Sequence, residues 1–229
     1  MIAGIRQLLS NPVVLLVPIA FPTLFLWLLN FQKKLKLTWQ KAFAIYVIHA
    51  TFLMAVVAKL MAIIESGGNL EKAANYRLYG AVFFLPIIYY VWARATKRDI
   101  KLVFDVFAIY LVLDMIFARA NCFFRGCCTG KFIFESSAIR WPLRELEIAY
   151  YIIFALIFAP KVKRGKTRGE IYPLYMITYG IFRLIIEGFR EEYTGQIGML
   201  HMAHIWSLLS ITIGGFLYLK IKNRGIKNG

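Results

Sequence analysis

The sequence predicts an all-α, polytopic integral membrane protein of about seven transmembrane helices, and three observations carry that expectation. Of its 229 residues 60% are hydrophobic and only 17% charged, against the roughly 25% charged expected of a soluble domain. The apolar residues fall in long, nearly uncharged runs. The lysines and arginines gather between alternate runs, which is how loops are held on the cytoplasmic face of a membrane. The formal net charge of +16 therefore reads as topology. Nucleic-acid binding is not expected, because no region concentrates the basic residues with interleaved aromatics.

The first run, 7–32, exceeds the about 20 residues of helix that a bilayer core requires. Only Arg6 precedes it while Lys33, Lys34, Lys36 and Lys41 follow, the reverse of a signal peptide's charge order, so a permanent helix is expected. Runs 42–58, 78–93 and 102–118 give the second to fourth helices, and they reach full length only by taking in Lys59, Asp105 and Asp114. Run 148–160 gives the fifth, with Glu145 and Glu147 crowding its start; run 171–182 gives the sixth, extended through Arg183; run 195–219 gives the last. Basic loops follow the first, third, fifth and seventh helices. Segments 65–77, 119–144 and 187–199 mix acids with bases and face outward, leaving the N-terminus outside and the C-terminus cytoplasmic. With no internal repeat or low-complexity tract, 1–229 is read as a single transmembrane domain.

Ionisable residues at membrane depth are functional or paired. In YGIFRLIIEGFREE, Tyr179, Arg183, Glu187 and Arg190 share a helical stripe, the last being seven residues beyond Arg183. One arginine is balanced by the glutamate and the second leaves positive charge for an anion; a snorkelling arginine with an intrahelical ion pair is the plainer alternative. The outward end of the fourth helix, DMIFARANCFFRGCCTGK, adds Asp114, Arg119, Arg125 and Lys131, and Gly126 and Gly130 allow a tight reversal that presents backbone N–H groups. Arginine forks match phosphate oxygens, and at this depth the phosphates belong to lipid headgroups.

Cys122, Cys127 and Cys128 leave a disulfide, inert packing or a reactive thiol open; one cysteine remains over in any pairing. Metal ligation is not expected, since no histidine is near and the CxxC spacing is absent. His201 and His204 share a face at the outward start of the last helix, within reach of lipid phosphate, and His49 lies deep in the second. No P-loop, dinucleotide fingerprint or serine triad is present, and no cofactor is expected.

ARANCFFRGCCTGKF resembles the glycine-arginine-led segment of bacterial prolipoprotein diacylglyceryl transferases, in the branch with a GRxxCFxxGCCxGK pattern. YGIFRLIIEGFREE resembles that family's YGxxRFxxExxR segment, IGMLHMAHIWSL the start of its last helix, LYGA at 78–81 its H/Y-G-G motif, and Val57-Ala58-Lys59 its Gly-Ala-Arg. Ala118 and Ala81 stand where the family has glycine, Cys122 and Arg125 where it has asparagine, and the chain leaves little room for a periplasmic head. The resemblance implies transfer of the diacylglyceryl group of phosphatidylglycerol to a thiol, the lipobox cysteine of a prolipoprotein, at the outer leaflet of a bacterial-type cytoplasmic membrane. It implies Arg119, Arg183, Glu187 and Tyr79 as catalytic residues, with Arg125, Gly126, Arg190 and His204 binding substrate. A paralogue with another acceptor or phospholipid, and a non-enzymatic lipid-binding or transport protein, are the alternatives; a transporter would be expected to show repeats or broken helices.

Overall fold

The computed structural model describes residues 12–49, 54–70, 79–134, 138–191, 196–197 and 200–227. Eight helices appear among them: α1 (Pro12–Asn30), α2 (Trp39–Val47), α3 (Met54–Glu65), α4 (Tyr79–Ala95), α5 (Ile100–Phe124), α6 (Leu143–Lys163), α7 (Ile171–Glu187) and α8 (Met202–Lys227). The run at 42–58 is thus shared between α2 and α3, with 50–53 outside the described residues. Run 148–160 lies within one unbroken helix, α6. The last helix starts at Met202, later than the expected 195, because β1 (Gln196–Ile197) pairs antiparallel with β2 (Leu200–His201), Gln196 opposite His201. Among the described residues this ribbon of two-residue strands is the one named sheet, and the remaining named elements are helices.

Helix α5 is the hub. Its residues Val103, Asp105 to Val112 and Met115 are buried on every side, as required of a helix apolar all round. Trp27 on α1 donates to the Val106 carbonyl at 2.9 Å, and Asp105 caps α7 by accepting from the Gly169 and Ile171 amides at 2.7 and 2.9 Å. The Ile171 bond satisfies one of the orphan donors at the start of α7, which makes this buried acid a fold element. His49 meets the Tyr89 hydroxyl at 2.6 Å, joining the second hydrophobic run to α4. Where α4 crosses α3 only glycine fits at 80, since a Cβ there would lie 1.9 Å from the Val57 carbonyl oxygen.

The ends of the bundle differ in charge. Arg98 donates to the Leu35 carbonyl at 2.7 Å, Gly165 lies against the Lys34 side chain, and Gly169 against Lys101, so the basic loops after α1, α4 and α6 meet at one end. Helix α5, at about 1.5 Å per residue, carries its C-terminus and the cysteine loop to the other. Among the described residues one helix, over Met202–Asn223, is long and apolar enough to cross a membrane, and Ile19–Asn30 and Tyr79–Ala95 are shorter apolar helices. Large apolar side chains such as Ile87, Val91, Ile153, Leu156, Leu208 and Phe216 are exposed, consistent with association with lipid.

Candidate functional site

The site forms at the end opposite the basic loops, where α5, α6 and α7 meet. Arg119 sits on the last turns of α5, Glu147 on the second turn of α6, and Arg183 and Glu187 on the last turn and a half of α7. Helix α7 stops at Glu187, so Arg190 is not on the expected helical stripe. A turn through Gly188 and Phe189 carries it back, and a bridge to Gly130 fixes it. Gly130 is pressed so closely on Trp141 that a Cβ would meet its carbonyl oxygen at 2.4 Å. The cysteine loop is thereby stitched to the end of α7: Lys131 N donates to the Phe189 carbonyl at 2.8 Å and Lys131 Nζ to the Gly188 carbonyl at 3.1 Å. Outside this seam Arg140 donates to Glu191 Oε2, which also accepts from Thr129 at 3.2 Å. The Arg140 contact, with Thr129 in support, holds the exposed Glu191 carboxyl below its usual range.

The side chains converge on Glu147. Arg183 Nη1 and Arg190 Nη2 donate to its Oε1 at 2.8 and 2.9 Å, and Arg119 Nε pairs with its Oε2. Arg183 Nη2 also reaches Glu187 Oε2 at 2.9 Å, and Arg190 Nε lies 3.4 Å from that oxygen. Glu147 is 1% and Glu187 0% exposed, with the three arginines at 5–6%. Three guanidiniums against two carboxylates leave one positive charge in a site largely closed to water. Glu187 Oε1 has no hydrogen-bond partner among the described residues. The excess of guanidinium over carboxylate is the feature with chemical affinity for an anion.

Of the residues singled out from sequence, Arg119, Arg183, Glu187 and Arg190 come together. Glu147 was read only as a charge crowding the start of the fifth run; it lies a turn inside α6, where a buried carboxylate is affordable only when paired. Tyr79 lies one layer away, its ring 5.6 Å from that of Tyr179 and its hydroxyl 2.5 Å from Ser207 Oγ. Arg125 and Gly126 are exposed on the loop, and the Gly126 amide closes the turn on the Phe123 carbonyl at 3.2 Å rather than standing open. His204 pairs with His201, ring centroids 5.3 Å apart, on the first turn of α8. Asp114 makes no ion pair with Arg119, whose carboxylate partner is Glu147.

The cysteines border the cluster. Arg119 Nη1 lies 3.9 Å from Cys128 Sγ, and Cys122, Cys127 and Cys128 are free thiols. The Cys122 thiol bonding to Cys128, helped by Arg119 and Arg190, pulls the Cys128 thiol down to about 5, while the same contact and burial push Cys122 up.

The chain matches the prolipoprotein diacylglyceryl transferase family over residues 15–220. It is similar to the phosphatidylglycerol–prolipoprotein diacylglyceryl transferase of Clostridium tetani, 25% identical over 180 residues, 72% of each chain. A Helicobacter pylori protein of the same name is 26% identical over 178 residues, 69% of this chain and 63% of its own. One from Campylobacter lari is 29% identical over 157 residues, 63% of this chain and 57% of its own. The chain therefore spans less than two thirds of the latter two.

Proposed function

We propose that this chain, which belongs to the prolipoprotein diacylglyceryl transferase family, moves the diacylglyceryl group of phosphatidylglycerol onto an acceptor thiol, the lipobox cysteine of a prolipoprotein. The observation that carries the reading is the buried trio of guanidiniums bridged by two carboxylates with one positive charge to spare. A phosphodiester brings one negative charge and a pair of non-bridging oxygens that the planar arginine fork can engage together.

In the reaction the acceptor sulfur attacks the glyceryl carbon that bears the phosphate. A C–S bond forms, the C–O bond to phosphate breaks, and glycerol phosphate leaves with the electron pair. Negative charge grows on the leaving oxygens, so donors already in place stabilise the transition state without reorganising. Arg119 and Arg183 hold that phosphate, with Glu147 and Glu187 fixing their forks. The thiol proton passes to a carboxylate, a role this reading gives to Glu187, whose buried Oε1 has no hydrogen-bond partner among the described residues, with Tyr79 as the other candidate. Arg190 adds positive charge, and Arg125, Gly126 and His204 line the approach of the headgroup.

The same reading makes the chain a multi-pass protein of the bacterial cytoplasmic membrane, seven spans, N-terminus outside and C-terminus inside, with the site open to the outer leaflet. Its support is the clustering of basic loops at the end opposite the arginines. The test is incubation of the purified protein with labelled phosphatidylglycerol and a lipobox peptide. Lipid transfer with release of glycerol phosphate, both abolished in Arg183→Ala, is expected. Release without peptide modification assigns a different acceptor, and no release where a Clostridium tetani enzyme works refutes the transferase.

A further inference from the structure

The three cysteines were set apart from metal chemistry because their spacing lacks a CxxC pair, but the fold brings the sulfurs together by another route. Helix α5 ends at Phe124, and the chain reverses through Gly126 at φ +67°, with Cys127 N donating back to the Cys122 carbonyl at 3.2 Å. This left-handed cap lays Cys127 over Cys122, and its sulfur is 3.7 Å from the Cys122 carbonyl oxygen. Cys128 is also left-handed, at φ +60°, a conformation a non-glycine residue adopts only under tertiary constraint. It turns its sulfur toward Arg119. All three sulfurs lie within 4.8 Å of one another. Three sulfurs at roughly 2.3 Å from a common centre stand about 4 Å apart, so a small inward movement completes a triangle.

The donor set and its surroundings select the ion. The group contains sulfur only, with no carboxylate or imidazole among the described residues, a donor set that disfavours hard cations and supplies three of the four ligands a structural zinc site takes. Soft thiolates favour d10 ions such as copper(I). The setting is cationic, since Arg119 touches Cys128 and Arg144 Nη1 lies 3.4 Å from the Phe123 carbonyl beside Cys122. Positive surroundings repel a bare cation but favour thiolates, and three thiolates around a monovalent ion form an anion that Arg119 can bond. Cys127 is exposed, which gives the ion a way in. We propose that Cys122, Cys127 and Cys128 form a three-coordinate thiolate site for copper(I). The site stands independently of the transferase reading.

The experiment titrates the full chain, purified in detergent under reducing, oxygen-free conditions, with copper(I) against a chromogenic copper(I) chelator. One equivalent is expected to be retained, with thiolate-to-metal charge-transfer absorption, and retention is expected to fall at least tenfold in Cys122→Ser, Cys127→Ser and Cys128→Ser. Alkylating the thiols of the folded wild-type protein gives the same loss without any risk of misfolding. Retention unchanged by alkylation, no retention by the wild type, preferential retention of zinc, or an intact mass showing a disulfide that resists reduction would each overturn the site.

Discussion

Replacing Glu147 by glutamine tests whether one carboxylate assembles the cluster. The amide keeps the shape and one acceptor, but it places an NH2 group where guanidinium N–H bonds already point, and Glu147 serves three arginines through both of its oxygens. Glu187, which pairs with Arg183 and Arg190, is then the one carboxylate left in the cluster, so the buried net charge rises by one unit. Removing one partner of a buried ion pair costs about 3–5 kcal/mol. At about 2–4 °C per kcal/mol for a chain of this size, the midpoint of thermal unfolding in detergent falls by roughly 6–20 °C. The added charge also strengthens the demand for an anion, so phosphatidylglycerol should raise the variant's midpoint more than the wild type's, whereas phosphatidylcholine, whose headgroup carries its own cation, should not. Tryptophan fluorescence during heating reads both effects. A glutamine variant that melts with the wild type and transfers lipid normally would show that the arginines are held by something other than Glu147.

Arg183→Lys keeps the charge but cannot bridge Glu147 and Glu187 with separate nitrogens, as Arg183 does at 2.8 and 2.9 Å; losing one preplaced transition-state donor costs about 2.7–4 kcal/mol, a roughly 100- to 1000-fold fall in kcat/KM. Gly80→Ala drives a Cβ into the Val57 carbonyl, backbone against backbone, and should destabilise the α3–α4 crossing by about 1–3 kcal/mol in a melting assay. The Glu191 tie has a pH sign. A carboxyl held below its ordinary value is charged and bonded at neutral pH, and the tie is lost as pH falls through that lowered value. Hydrogen exchange at residues 129–134 and 138–140, corrected for intrinsic rate, should therefore rise only at pH below the ordinary carboxylate range, and Glu191→Gln should show the raised exchange already at neutral pH.

The legible part of the site was the part written in one helix. Arg183 and Glu187 are four apart, the spacing survives in α7, and the ion pair follows. Arg190 arrives at the same place for a reason periodicity does not contain, since the helix has ended and a bridge to Gly130, sixty residues earlier, returns it to the cluster. Glu147 was visible but given no role, because one sequence shows a charge at the edge of an apolar run without showing which helix packs beside it. Asp105 carried the same signal and turned out to cap α7. An acid within a span thus announces a partner, and only the fold says whether that partner is a helix start or a set of arginines. The cysteines needed a left-handed reversal that spacing rules do not encode.

What separates the cluster from a mere staple is its imbalance. Three guanidiniums present about fifteen N–H donors, whereas two carboxylates offer about eight lone-pair sites, so donors remain over even when every acceptor is filled. Arg190→Gln removes one of the three cations and leaves two against two. A balanced buried set is no less stable in principle than an unbalanced one, since its residual charge is gone, and the bridge between residues 130 and 190 runs through the backbone and survives the change. The variant should therefore melt within a few degrees of the wild type, while its stabilisation by phosphatidylglycerol collapses and transfer falls with it. A loss of fold instead would mean that Arg190 is needed to hold Glu147 and Glu187 in place, and retained lipid stabilisation would mean that the phosphate is bound elsewhere.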